Sequence, residues 1–232
     1  MNYEAGKLKR PITDQVRASV TEDLPEINQI MDVTLRTKAI EAWAHALCES
    51  SFQRIRDIPG EGNPGVFTLK RGNQADHLRG VAHLAMKIVD EFEASFPEVA
   101  INRDIVLTGA LVHDVGKAWE IDPRNLKRWN EDPSQTGQAS LRHSVFGAHI
   151  CLVVGLPEEI AHIALGHSRE GQHIGLSTEC YIVRTADHSW WNLAGALGLL
   201  TLESMEGEAD KMVRPRQSRS DAKPVKMTKA RG

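Results

Sequence analysis

Hydrophobic residues recur along most of the chain at intervals of three and four residues, the spacing that places them on one face of an α-helix. The alternation of single polar and apolar residues that would indicate β-strands is nearly absent. Proline and glycine cluster between the periodic segments, where they favour helix ends and turns. The pattern therefore predicts an all-α protein.

The same pattern divides the chain into three regions. Residues 1–70 are predicted to form an N-terminal extension, with two or three helices between 13 and 53 and then a Gly/Pro-rich loop that contains a short hairpin at 66–72. Residues 71–204 are predicted to form the main helical domain, and residues 205–232 a disordered tail. The helices predicted in the main domain span residues 75–96, 102–115, 140–155, 157–167 and 178–201.

Charge is distributed unevenly along the 232 residues, a length that can bury a sizeable core. Residues 211–232 contain eight Lys or Arg and one acidic residue, whereas residues 1–210 contain 20 basic and 30 acidic residues, a net charge of −10. An acidic body gives no reason to expect nucleic acid as a partner. The basic tail lacks apolar periodicity, and we expect it to be solvated.

Cysteine usage and the apolar runs bear on where the protein works. Cys48, Cys151 and Cys180 lie in apolar, helix-like segments, without CxxC pairing or the spacing of a disulfide framework. They are predicted to be reduced core residues. No signal-peptide core is visible, and no apolar run approaches the ~18 residues of a membrane span. We therefore expect a cytoplasmic protein without a membrane partner.

Several polar side chains fall on the apolar faces of the predicted helices. A single inward histidine is usually satisfied by a backbone carbonyl, but a group of inward imidazoles and carboxylates needs a shared partner. First-row divalent metal ions suit these side chains. The spacing of residues 140–155 fits either of two histidines. The inward residues are His77, His113, Asp114, His167, Asp187 and one of His143 or His149.

The order of these residues resembles the HD-domain superfamily of metal-dependent phosphohydrolases, named after an adjacent His-Asp pair. The resemblance covers about residues 75–200, so the region 71–204 is expected to be an HD domain. The N-terminal 70 residues and the basic tail lie outside it. The motifs that carry it are, in order, HLRGVA from His77, HD at 113–114, HSVFGA from His143, GHS around His167 and IVRTADH with Asp187.

The resemblance implies a set of metal ligands. His143 rather than His149 matches the family, and Asp114 is expected to bridge two divalent ions. The metals considered are Mn, Fe, Ni, Co and Zn. The core ligands implied are His77, His113, Asp114 and Asp187, and the further ligands of two-metal subfamilies are His143 and His167.

Two ions roughly 3.5–4 Å apart can share a hydroxide that acts as nucleophile at neutral pH. The resemblance therefore implies hydrolysis of a small phosphomonoester or phosphodiester, with nucleotides among the candidates. Asp114 and Lys117 are expected to take part in catalysis, and Lys117, Arg142 and Arg169 to bind substrate phosphate. The polar, loop-like segment 118–140 is expected to form a lid or a wall of the substrate site.

Two other functions stay open. In a branch of HD proteins that includes myo-inositol oxygenase and a phosphonate-cleaving oxygenase, the same ligand set holds two irons that activate dioxygen to cleave a C–C or C–P bond. A sensor that binds a ligand without turnover would need no other residues. The sequence selects neither the substrate nor the metal, and it leaves open whether the chain forms a homo-oligomer.

Overall fold

A computed structural model describes residues 7–62, 67–131 and 141–201 of the protein. These residues form helices joined by short turns, and their only β-pairing consists of two isolated bridges. The all-α prediction is confirmed. The α-helices are α1 Asp14–Asp23, α2 Val33–Glu49, α3 Gln74–Ser95, α4 Arg103–Val112, α5 Lys117–Glu120, α6 Pro123–Glu131, α7 His143–Val153, α8 Glu158–Gly166 and α9 Thr178–Ala196. Short 3₁₀ helices lie at Pro25–Gln29, Ile55–Asp57 and Arg169–His173.

Helix α3 begins at a reciprocal cap. Asn73 Oδ1 accepts the backbone N–H of Ala75 at 2.9 Å, and Asp76 Oδ2 accepts the N–H of Asn73 at 3.0 Å. Such a cap satisfies donors that would otherwise lack partners in the first helical turn. It fixes the start of α3, and thereby places His77 in the first turn with its side chain fully buried.

Helix α4 lies at the centre of the fold. It packs against α2, α3, α8 and α9, and every residue from Ile105 to Val112 is buried. The sequence predicted a helix to residue 115, but α4 ends at Val112 and the next four residues form a turn. Because the helix is buried on all sides, the residues at its end, His113 and Asp114, lie in the interior.

The N-terminal helices pack onto the main domain and share its hydrophobic core. Trp43 of α2 is fully buried, and its indole Nε1 donates to the carbonyl of Leu111 at 2.8 Å. The backbone N–H of Ser51, just after α2, donates to Asp122 Oδ2 at 2.7 Å. The core is therefore continuous across residue 70, while the division into an extension and an HD domain stays a prediction.

The segment 118–140 differs from the loop that its polarity predicted. Its first half contains most of α5 and all of α6, with Trp119 and Trp129 buried. Asp122 Oδ1 accepts the N–H of Arg124 at 2.9 Å, so an Asp-Pro pair starts α6. These helices are too short for their periodicity to stand out. Residues 132–140, the rest of the expected lid, lie outside the described residues.

The predicted hairpin is not formed by residues 67–72. Leu69 instead makes an antiparallel bridge with Leu200, and the N–H of Lys70 donates to the carbonyl of Leu199 at 2.8 Å. This pairing joins the loop before α3 to the residues after α9. The predicted disordered tail, 205–232, lies outside the described residues.

Within the described ranges, no helix has both the length and the apolar character needed to cross a membrane.

Candidate metal centre

The ends and inner faces of five helices meet at one buried cluster of imidazoles and carboxylates. The most exposed member, Asp187, has 7% of its surface accessible, so the cluster is closed to bulk solvent. The members are His77 on α3, His113 and Asp114 after α4, His143 at the start of α7, His167 after α8 and Asp187 on α9. These are the six residues that the resemblance implied as metal ligands.

Asp114 lies at the centre of the cluster. Its Oδ2 is 3.2 Å from His77 Nε2 and 3.4 Å from His113 Nε2. Its Oδ1 is 3.4 Å from His143 Nε2 and 3.3 Å from His167 Nε2. The two oxygens of one carboxylate therefore face two different pairs of imidazoles.

Asp187 joins the first of these pairs. Its Oδ1 lies 3.3 Å from His77 Nε2 and 3.9 Å from His113 Nε2, and it meets no hydrogen-bond donor in good geometry among the described residues. A buried carboxylate oxygen in this state fits a metal ligand, since an ion would supply the missing partner. Two overlapping groups have candidate ligand atoms within 4.8 Å of one another: His77, His113 and Asp187, and His113, Asp114 and His167.

Two of the histidines are oriented by their own helices. His113 Nδ1 lies 2.8 Å from the carbonyl of Ala110, and His167 Nδ1 lies 2.9 Å from the carbonyl of Ala164. Each histidine directly follows the last residue of its helix, where carbonyls lack partners within the helix. Because a carbonyl can only accept, Nδ1 carries the proton and Nε2 presents its lone pair to the cluster.

Glu120 is a member of the site that sequence reasoning missed. Its side chain is fully buried, with Oε2 2.5 Å from His143 Nδ1 and Oε1 2.8 Å from Arg142 Nη1. Burial raises the pKa of Glu120, but His143 and Arg142 outweigh this effect and lower the pKa overall. The available signal was an acidic residue flanked by Trp119 and Ile121, in a segment that we interpreted as a loop.

Two further side chains contact the central carboxylate. Lys117 Nζ and Gln74 Nε2 each lie 2.9 Å from Asp114 Oδ2. Lys117 also donates to the carbonyl of Glu61, and its ammonium lies 5.5 Å from the centre of the Trp191 ring. Burial raises the pKa of Asp114, but the Lys117 ammonium and neighbouring imidazoles hold it well below its ordinary value. Gln74 was not predicted, although it lies one turn before His77.

The predicted phosphate-binding arginines occupy different places. Arg142 lies beside the cluster, where it pairs with Glu120 and lies 3.5 Å from Glu170. Arg169 is exposed at the start of the 3₁₀ helix that follows His167. The structure thus brings Lys117 and Arg142 to the cluster and leaves Arg169 at the surface nearby.

The choice between two histidines on α7 is consistent with their burial. His143 has 2% of its surface accessible, whereas His149 is exposed.

His77, on α3, is packed between two indoles, with ring centres 4.7 Å from Trp190 and 4.8 Å from Trp191. Gly80 makes room for this arrangement, because a Cβ there would lie 2.2 Å from Trp190 Nε1.

Comparison with known proteins identifies the family. Residues 75–189 match the family model described as HD domain, and the chain belongs to the HD-domain superfamily. HD domains are in general metal-dependent hydrolases that bind divalent ions. No match to the chain was found among curated proteins or solved structures.

Proposed function

We propose that this protein is a phosphohydrolase that holds two divalent metal ions in the buried cluster. The observation that carries the proposal is the position of Asp114, whose two oxygens face two separate pairs of imidazoles. We name the two positions by their ligands. Position A is formed by His77, His113, Asp187 and Asp114 Oδ2, and position B by His143, His167 and Asp114 Oδ1.

The protonation of the histidines supports metal binding over an internal hydrogen-bond network. His113 Nδ1 donates to a backbone carbonyl, so Nε2 of the neutral ring has a lone pair and no proton. That atom nevertheless lies 3.4 Å from Asp114 Oδ2, which is also an acceptor. Lone pairs and carboxylate oxygens gathered in a buried space repel one another unless a cation lies among them.

The residues around the cluster fit phosphoester hydrolysis. Divalent ions bound there would supply a nucleophile at neutral pH and neutralise phosphate oxygens. Lys117 points at Asp114 and can contact a phosphate if it exchanges the Glu61 carbonyl for a phosphate oxygen. Arg142 already pairs with Glu120, so we assign it to the support of His143. Exposed Arg169 is placed to meet an anionic substrate before it enters.

Elemental analysis of the protein purified without chelator tests the proposal. We expect close to two first-row ions per chain, and loss of both ions and of phosphoesterase activity in Asp114→Ala. His149→Ala is the matched control, because this histidine lies on α7 but is exposed. A wild-type protein that carries no metal and does not bind added manganese would refute the proposal. Iron together with substrate-dependent dioxygen consumption would assign the protein to the oxygenases instead.

A further inference from the structure

The second nitrogen of His143 has a different partner from those of two other cluster histidines. Nδ1 of His113 and of His167 contacts a neutral backbone carbonyl of its own helix. Nδ1 of His143 lies 2.5 Å from Oε2 of Glu120, a fully buried side chain on another helix. Position B therefore has a histidine ligand whose second ring nitrogen contacts a carboxylate.

The place of His143 in its helix explains the difference. It is the first residue of α7, so no preceding helical turn offers it a carbonyl. Helix α5 supplies the acceptor instead, and it reaches α7 through close backbone contact at Gly116. A Cβ on Gly116 would lie 2.1 Å from the carbonyl oxygen of His143. The contact between Glu120 and His143 is therefore built into the packing of α5 against α7.

The charge of Glu120 is balanced by a residue outside the cluster. Arg142 Nη1 lies 2.8 Å from Glu120 Oε1, and Arg142 Nε lies 3.5 Å from Glu170 on the 3₁₀ helix after His167. Glu120 thus has one partner on each oxygen, the Arg142 guanidinium on Oε1 and the His143 imidazole on Oε2. This arrangement lets a buried carboxylate act on His143 without being left uncompensated.

We propose that Glu120 is a positioning residue that fixes the orientation of His143 and strengthens metal binding at position B, with little effect on position A. A carboxylate on Nδ1 holds the ring in the tautomer that presents Nε2 and makes that nitrogen a better donor to a metal. This inference rests on the proposed two-metal function.

Stepwise binding of Mn²⁺ to metal-stripped, full-length protein tests the inference by calorimetry. In Glu120→Gln we expect the affinity of one of the two binding steps, the one that belongs to position B, to fall by about 10- to 100-fold. The affinity of the other step should change less than about 3-fold. Glu170→Gln is the matched control, since it alters the other carboxylate beside Arg142 and should bind both ions as the wild type does.

A second variant separates this role from a purely structural one. If Glu120→Gln fails to fold because the Arg142 guanidinium loses the opposite charge of Glu120, Glu120→Gln combined with Arg142→Met removes that positive charge and should fold while position B stays weak. The downfield proton resonance of His143 Nδ1 should be present in the wild type and absent in both variants. Unchanged affinity at both positions in a folded variant would overturn the inference. A wild type that binds a single ion would overturn the two-metal function and this inference with it.

Discussion

At the scale of single residues, the charges of two carboxylates and of Lys117 determine what the candidate centre can bind. Burial raises the pKa of Asp114 and of Asp187, yet both pKa values lie below the ordinary range. Lys117 and the His113 imidazole lower that of Asp114, whereas the neighbouring imidazoles of His77 and His113 lower that of Asp187. With the imidazoles neutral, the two ionised carboxylates outnumber the Lys117 ammonium among the described residues of the cluster, and this excess negative charge favours cations there.

Lys117→Met should separate metal binding from turnover. The six candidate ligands are unchanged, so we expect metal content to stay near the wild-type value. We expect kcat/KM for a phosphoester to fall about 100-fold or more, because a buried positive charge near the reacting phosphate is lost. The measurement is steady-state kinetics beside elemental analysis, with Lys87→Met as the control because this lysine is exposed on α3 and has no assigned role. Wild-type kinetics in Lys117→Met would contradict the role assigned to this lysine.

The three cysteines are free and buried, as the sequence predicted. Burial raises the pKa of all three thiols, that of Cys151 to about 12 and that of Cys180 to about 11. The thiolate is the reactive form. We therefore expect a chromogenic disulfide reagent at pH 8 to modify none of them in the native protein within the time in which it modifies all three in denaturant. Rapid modification of one thiol in the native protein would contradict this expectation.

Local spacing was sufficient to predict the inward position of two polar residues on long helices, although it did not choose between His143 and His149. His77 and Asp187 lie within apolar stripes of long helices, and both are buried. Glu120 and Gln74 could not be predicted in this way. Glu120 belongs to a helix of four residues, and its partner His143 is 23 residues further along the chain. A contact of this kind depends on how two helices pack, which periodicity does not report.

At the scale of elements, position B depends on the close packing of α5 against α7. Gly116 lies directly before α5. Its φ of −70° is accessible to any residue, so glycine is required here for the absence of a side chain. The carbonyl of His143 and the N–H of Gly147 occupy the space that a Cβ would need.

Gly116→Ala should force α5 and α7 apart. The obstructing atoms are backbone and cannot rotate away, so we expect a loss of about 1–3 kcal/mol in the free energy of unfolding. We also expect weaker metal binding at position B, since the distance between Glu120 and His143 would increase. Thermal unfolding and manganese titration measure the two effects. Gly175→Ala is the control, because a Cβ there meets no atom within 4 Å. Equal stability of the two variants would show that α5 and α7 can rearrange to accommodate a Cβ at residue 116.

Short helices and non-local pairings are the elements that the sequence did not predict. The helices α3 and α8 were predicted to within a few residues, because each has a continuous apolar stripe and a clear start. The bridge between Leu69 and Leu200 joins segments 131 residues apart, so local patterns favoured a hairpin instead. The physical reason is the same for α5, since tertiary packing decides the structure of segments too short to be stable alone.

At the scale of the whole molecule, the N-terminal region is tied to the HD domain by polar contacts as well as by the shared core. The family match starts at residue 75, yet Asp104 accepts the backbone N–H groups of Met31 and Asp32 at 2.9 and 2.7 Å. Lys38 donates to the carbonyl of Gly155, between α7 and α8. We therefore expect the two regions to unfold in one cooperative transition.

The contact between Ser51 and Asp122 gives this coupling a dependence on pH. Asp122 has 1% of its surface accessible and accepts hydrogen bonds from the N–H of Ser51 and from the side chain of Arg124. Burial raises the pKa of Asp122, but these hydrogen bonds lower it by a larger amount. The pKa in the folded protein therefore lies below the pKa in the unfolded chain. Its stabilising effect is therefore complete above the unfolded pKa of about 3.9 and is lost as the pH falls through the folded pKa.

Asp122→Asn should accordingly destabilise the protein most at neutral pH. We expect a loss of about 1–3 kcal/mol in the free energy of unfolding at pH 7, because the charge-assisted hydrogen bonds are weakened. The difference from the wild type should shrink below pH 4, because the unfolded chain then binds a proton at this carboxylate more readily than the folded protein does, and it should be smallest below the folded pKa. Urea unfolding at pH 7, 5 and 3 measures this difference, with exposed Asp14→Asn as the control. A difference that stays constant over this range would mean that Asp122 stabilises the protein through packing and not through its charge.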